Sequence, residues 1–271
     1  MERELFARLV RLQGPGLPYP EPAQEFKQIL VLALHVGWRR LGWRLGQQGH
    51  ALSALDERQT TTLLVEELRR LLDSGEVDGF CLPFFAVERD AKVVNFDGLH
   101  PEKMPDIVFG LCNRMPGVPA DAALHVECKP VGLDIGYKPY LDRDGLGCFL
   151  HGDYGSKARA GMMVAYGDTG YTFADVVTRL EPSFGQPGDP YATVQMPAIV
   201  VYSGIPAVTA IYESSHRRNW AYADGSRPGD IRITHVWLER LGVVSLPPPV
   251  RPEARVEATD PPAVHVIVSG S

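Results

Sequence analysis

The chain has 271 residues, of which 45% are hydrophobic, and a net charge of −6. That composition excludes a disordered polymer and fits one sizeable domain or two small ones. It is not the strongly basic composition of a protein that coats nucleic acid, so any such binding would depend on where the basic residues lie.

The charge is uneven. Residues 1–50 carry seven Lys/Arg and four Asp/Glu, whereas residues 51–150 carry ten against seventeen. The middle of the chain thus concentrates carboxylates, as a site for divalent cations would, and as a solvated surface also would. The four cysteines are Cys81, Cys112, Cys128 and Cys148. None are spaced as C-x-x-C, which argues against a zinc ribbon or redox motif and for reduced, buried thiols in a cytoplasm. The first residues lack a signal-peptide pattern. The longest apolar run, Ile29 to Leu34, is far short of the roughly 20 residues of a membrane span. The expectation is a soluble, cytoplasmic protein with no membrane contact.

In chain order, residues 13–23 are rich in Pro and Gly and read as a loop. Phe26, Leu30, Leu34, Trp38, Leu41 and Leu45 then recur at helical spacing over 23–45. Arg39, Arg40 and Arg44 lie off that stripe, on a helix that either docks on the core or touches a phosphate backbone. A second helix is predicted over 56–72, with Ser53 or Asp56 as its cap and Ser74-Gly75 as its end. Glu57, Thr61, Leu64, Leu68 and Leu71 share one face of it, which puts an acid at the head of an apolar stripe. Glu66 falls with Arg69, Arg70 and Asp73 on the wet side.

Two extended segments joined by a turn near Asp90 are predicted over about 80–96. A short apolar strand follows Pro105-Asp106, and "ALHVECKP" makes another, with His125, Glu127 and Lys129 on one face and Leu124, Val126 and Cys128 on the other. Residues 155–166 read as a helix starting with Lys157 and Arg159, and 197–205 and 230–241 as strands. His235 alternates with apolar neighbours, as a packed core histidine does; His125 reads as a packed histidine or as a support for Glu127. From Leu246 the Pro content and charge suit a flexible tail, with "AVHVIV" (263–268) as an exception of high β-propensity. No internal repeat is visible.

The chemistry concentrates in Asp106 followed, after twenty residues, by Glu127-Cys128-Lys129. Phosphodiester hydrolysis needs a Lewis acid and an activated water. Hard Mg²⁺ takes oxygen ligands, commonly one or two carboxylates. Carboxylates from adjacent strands supply them. Lys129, two residues beyond Glu127, points the same way, so its ammonium can hold the attacking water, offset charge, or act as a base if its pKa is lowered. No Gly-x-Ser-x-Gly is present, and Cys128 faces away from its neighbours, which argues against serine or cysteine hydrolase chemistry.

Pro105-Asp106 and Glu127-Cys128-Lys129 resemble the PD-(D/E)-x-K nuclease superfamily. The order helix, strand, strand, strand, helix, strand over roughly 50–240 is similar to that family's restriction-endonuclease-like core. The resemblance implies an α/β fold, a three-layer α/β/α core with a central mixed sheet. Residues 1–245 would form the nuclease domain with an N-terminal helical extension, and 246–271 the tail. It implies catalytic Glu57, Asp106, Glu127 and Lys129. Mg²⁺ (Mn²⁺ substituting) would be held by Asp106, Glu127, the Cys128 backbone carbonyl and Glu57. Lys157, Arg159, Arg217 and Arg218 are candidate contacts to substrate phosphate, with a polar turn as the equal alternative for 215–218. "GLGCFLHGDYGSKARAGMMVAYG" looks like a segment of such proteins from bacterial defence loci, with Cys148 where an Arg is common. The implied function is Mg²⁺-dependent cleavage of nucleic acid, DNA foremost, in antiviral defence. A ribonuclease, a catalytically silent binding or scaffold module of the same fold, and an effector activated by a protein partner stay open, as does a homo-oligomer.

Overall fold

The computed structural model describes residues 17–19, 21–82, 85–111, 123–132, 135–168, 170–202 and 211–240. The Pro-rich tail, the 263–268 segment and Cys112 lie outside the described residues.

The first helix, α1 (Gln24–Gln47), buries the predicted stripe from Phe26 to Leu45. Its polar side chains are tied to other parts of the molecule. Arg40 pairs with Glu76 at 2.6 Å, and Arg44 with Glu67 at 2.9 Å. Lys27, itself buried, pairs with Glu213 at 2.5 Å and Glu21 at 2.8 Å. Of the two readings of this helix, docking on the core is the one found. Trp38 lies flat on Tyr166, ring centroids 5.2 Å apart, and donates from Nε1 to the Glu239 carbonyl.

Helix α2 (Glu57–Ser74) starts at Asp56, whose carboxylate accepts the Gln59 N–H while the Gln59 side chain takes the Asp56 N–H. That reciprocal box satisfies two of the amides every helix start leaves open. Gly75, at φ +62°, closes the other end in the left-handed conformation that costs glycine little.

Seven strands form one mixed sheet: β1 (Phe85–Arg89), β2 (Ile107–Leu111), β3 (Ala123–Val131), β4 (Ala160–Gly167), β5 (Thr193–Ile199), β6 (Ile211–His216) and β7 (Ile231–Glu239). Their order is β1-β2-β3-β4-β7-β6-β5, with β3, β4 and β7 parallel and the other pairs antiparallel. Helices α1 and α2 cover one face, packing on Val126, Cys128, Met162, Val164 and Tyr166. The other face carries α3 (Lys138–Leu141), α4 (Leu146–Leu150) and α5 (Phe173–Leu180), packed on Val131, Met163, Ala165 and Ile233. This is a three-layer α/β/α arrangement, as expected.

Three predicted elements differ, one of them only in its bounds: the strand expected over 197–205 lies earlier, as β5 over Thr193–Ile199. Residues 155–166 do not form a helix: they are a loop followed by β4, every residue of which is buried. A central parallel strand is covered on both faces, so it reads as a continuous apolar run and loses the alternation that marks a half-exposed strand. Gly161 lets the Phe149 ring lie on this strand, since a Cβ there would meet the ring at 2.5 Å. The helical step after β3 is instead made by the short α3 and α4. The segment after Asp90 contributes one bridge, Val93 to Lys103, rather than a second strand.

The α3–α5 side of the sheet holds a buried hydrogen-bond chain whose direction can be deduced. His216 Nδ1 lies 2.9 Å from the Tyr191 carbonyl, which only accepts, so Nδ1 carries the proton and Nε2 accepts from Ser214 Oγ at 2.7 Å. Ser214 Oγ then accepts from His235 Nε2 at 2.8 Å, and Tyr140 donates to His235 Nδ1 at 2.9 Å. Both rings are neutral in this pattern. Burial agrees, lowering His216 to about 4 and His235 well below its ordinary value. His235 is the satisfied core histidine the alternation predicted.

Candidate active site

β2 begins one residue after Asp106. Ile107 pairs with Val126, so continuing the antiparallel register sets Asp106 opposite Glu127. Where the β2 ladder stops, the Asp106 carboxylate takes over and accepts the Cys128 N–H at 2.7 Å. A residue's N–H and C=O lie on the same edge of a strand, so the Cys128 carbonyl faces the Asp106 side as well.

Glu127 and Lys129, two apart on β3, share a face, and Lys129 Nζ sits 2.7 Å from Glu127 Oε1. The same ammonium reaches Glu57 Oε1 at 2.9 Å. Helical phase predicts Glu57 over the other two glutamates of α2, and those are engaged elsewhere. Glu67 is held by Arg44 and by Arg70 at 2.7 Å, and Glu66 by Arg70 at 3.6 Å. The four residues expected from the sequence therefore do converge. Glu57, however, enters through Lys129. Among the described residues no three His, Cys, Asp or Glu side chains form a group that could hold a metal ion, and Glu57 meets the centre by holding the lysine.

One ammonium faces three carboxylates, and negative charge is in excess. Burial, reinforced by the Asp106 charge, pushes Glu127 up to about 8. Burial also raises Asp106, to about 6, against the pull of Lys129 and the Cys128 N–H. Burial alone would lower Lys129, but the charges of Glu127 and Asp106 outweigh it and hold its proton more firmly than usual. Lys129 is thus held as a cation, which favours holding the water and offsetting charge over the base role, whose condition was a lowered pKa. The Cys128 thiol is buried on the opposite face and raised by burial, the reverse of an activated nucleophile.

One atom stands out. Glu127 Oε2 is buried and has no hydrogen-bond partner. An orphaned carboxylate oxygen is costly unless something cationic or donating meets it. Besides the Lys129 ammonium on its other oxygen, Glu127 faces the Asp106 carboxylate across the strand pair, with the Cys128 carbonyl on the Asp106 edge. That set fits a hard cation such as Mg²⁺, which takes one or two carboxylates and leaves its remaining positions to water and phosphate.

Comparisons with protein-family models, with curated proteins and with solved structures gave no match.

The remaining candidates divide. Arg218 is buried and donates to the carbonyls of Gly229, Gly155 and Pro228 at 3.1, 3.1 and 2.8 Å, so it ties two backbone segments together and is not a phosphate contact. Arg217, its neighbour, is exposed. Lys157 and Arg159 are exposed in the loop before β4, and Lys157 lines a cavity with His125 and Lys92. His125, two residues before Glu127, accepts the Gly155 N–H at Nδ1 at 2.7 Å and is lowered to about 4 by burial, a neutral packed ring.

Tyr154 was not singled out from sequence. Its hydroxyl donates to the Met104 carbonyl at 3.0 Å and so steadies the approach to Asp106. It lies within the Gly-rich segment flagged by resemblance, but nothing in its spacing marks the residue itself.

Proposed function

We propose that this chain is a Mg²⁺-dependent phosphodiesterase that cleaves nucleic acid, DNA foremost, through a PD-(D/E)-x-K type centre. The observation that carries the reading is the buried, unpartnered Glu127 Oε2 beside Asp106, flanked by a lysine held as a cation. A purely structural ion pair would satisfy its own oxygens; this one leaves an acceptor open among excess negative charge.

Asp106 and Glu127 are the residues that would hold the cation, with the Cys128 carbonyl beside them. When bound, the cation offsets charge on the scissile phosphate and makes water a stronger nucleophile. Asp106 fixes the β3 backbone through the Cys128 N–H. Lys129 presents its ammonium to the attacking water and to charge that develops on the phosphate, where a pre-oriented donor is most effective. Glu57 keeps that ammonium in place. A defence role rests on the resemblance alone.

The test is incubation with supercoiled plasmid, single-stranded DNA and RNA in Mg²⁺, Mn²⁺ or EDTA. Cleavage is expected in Mg²⁺ and Mn²⁺, with loss in EDTA and in Asp106→Ala. Wild-type protein that cuts none of the three, or cuts them in EDTA, contradicts the proposal.

A further inference from the structure

Away from the carboxylates, two cavities of 390 and 360 Å³ adjoin and share Asp189, Ala192, Arg217 and Asn219. Together they have the size of a site for a small ligand or a short stretch of chain. The short helix α4 links them to the centre described above. Cys148 and Leu150 pack in the same core cluster as Met163, the β4 partner of Glu127, and Leu150 also lines the groove.

The groove's free groups are mostly donors. Asp189, its acid, is turned to the backbone: Oδ1 accepts the Tyr191 N–H at 2.9 Å and Oδ2 the Thr193 N–H at 2.8 Å. Arg217 has no ion pair or side-chain hydrogen bond among the described residues. Arg143, on the far wall, is largely exposed and reaches Asp153 only at 3.9 Å. Two further wall residues carry buried polar atoms with no partner, Thr193 Oγ1 and Trp220 Nε1, the second a donor only.

The backbone around Arg217 is fixed. Its N–H is bonded to the Ala192 carbonyl at 2.8 Å, and Ala192 holds the left-handed conformation at φ +46°. Such a conformation in a non-glycine residue persists only where surrounding structure imposes it. The next residue, Arg218, is locked inward on three carbonyls. From this fixed backbone the exposed Arg217 side chain lines both cavities.

One arginine without an ion pair and a second only loosely paired call for an acceptor-rich anion, and a guanidinium fork suits phosphate oxygens. We propose that this groove binds the phosphate of a nucleotide, as part of the nucleic-acid strand that the neighbouring carboxylates would cut. That strand form rests on the nuclease reading; a free nucleotide is the other source of the same chemistry.

Binding is measured in Ca²⁺ by fluorescence anisotropy, using a labelled DNA oligonucleotide, single-stranded and duplex. Deoxyadenosine 5′-monophosphate and inorganic phosphate serve as competitors. Arg217→Ala and Arg143→Ala are each expected to weaken oligonucleotide binding by about fivefold or more. Each should also flatten the dependence of log affinity on log salt by about 0.7–0.9. Arg217→Lys, which keeps the charge and loses the fork, should fall between. Competition by the monophosphate that disappears in Arg217→Ala, with no oligonucleotide binding, keeps the groove and assigns it to a free nucleotide. Unchanged affinities and slopes in Arg217→Ala and Arg217→Glu, with folding confirmed by melting temperature, overturn the groove even if plasmid is cut. Loss of plasmid cleavage as an activity, with Arg217-dependent binding intact, overturns the nuclease reading and leaves the groove.

Discussion

Two buried polar clusters lie on the same sheet and are built on opposite rules. Tyr140, His235, Ser214 and His216 form a one-way chain in which every shared atom has a partner and every ring is neutral. Around β3, Glu57, Asp106 and Glu127 crowd a single ammonium, and Glu127 Oε2 is left with nothing. A satisfied network stabilises and specifies a fold. An unsatisfied one makes the fold less stable than it could be, and such sites are where function is usually found. The contrast separates residues that hold the molecule together from residues that are held by it.

The largest effect should come from Lys129. Its ammonium acts most strongly on charge that develops during reaction, so Lys129→Ala is expected to cut DNA at least about a hundredfold more slowly. Affinity for DNA in Ca²⁺ should stay near wild type, because one lysine among many contributes little to the shared electrostatic attraction. Binding lost in proportion to cleavage would make Lys129 a substrate anchor and blur the contrast.

Ser214→Ala tests the other cluster. It leaves the His235 Nε2 proton and the His216 Nε2 lone pair unpaired in the core, each costing about 1–3 kcal/mol. A melting temperature lowered by several degrees is expected, with cleavage kept below the transition. A variant that melts normally but no longer cleaves would move the histidine chain into the reaction.

How much of this was legible beforehand differs between the clusters. Glu57 was readable because a helix stripe has a phase, and Asp106, Glu127 and Lys129 because alternation along a strand fixes which side chains share a face. The cation role of Lys129 was not, since it depends on three carboxylates meeting from three elements. His235 was readable as a core residue, whereas its partners, drawn from β6 and α3, were not. Arg217 and Arg218 look equivalent in sequence; only the carbonyls that converge on Arg218 distinguish them. β4 was misread because a strand buried on both faces loses its period.

Acid should act through the buried histidines, wherever in the fold they lie. His35, His125 and His216 are lowered to about 4, and His235 further, in each case chiefly by burial. Unfolded histidine takes a proton near pH 6.5, so the stability these neutral rings contribute is complete above that pH. It declines as pH falls toward 4, by about 1.4 kcal/mol per pH unit for each ring. Asp106 and Glu127 act in the opposite sense, because their folded values are raised. Melting temperatures between pH 7.5 and 5 should fall, and fall more steeply in Glu127→Gln, which removes an opposing carboxylate. A flat profile in that variant would mean the histidines are not held neutral.

The smallest effect is a gain. Glu127 is raised to about 8 when folded, so its ionisation costs stability as pH rises from its ordinary range through 8. Glu127→Gln should therefore melt a few degrees higher than wild type at pH 8.5 without divalent cations. A lower melting temperature would show that the pair with Lys129 outweighs the excess charge.

The central claim is that Asp106 and Glu127 together collect a divalent cation. Titration of the metal-free protein with Mn²⁺, followed by electron paramagnetic resonance of the free ion, tests it without substrate or turnover. The account predicts saturable binding in the wild type that is lost in Asp106→Asn and in Glu127→Gln and retained in Ser214→Ala. Equal Mn²⁺ binding by the wild type and both carboxylate variants, or none by a folded wild type, would contradict it.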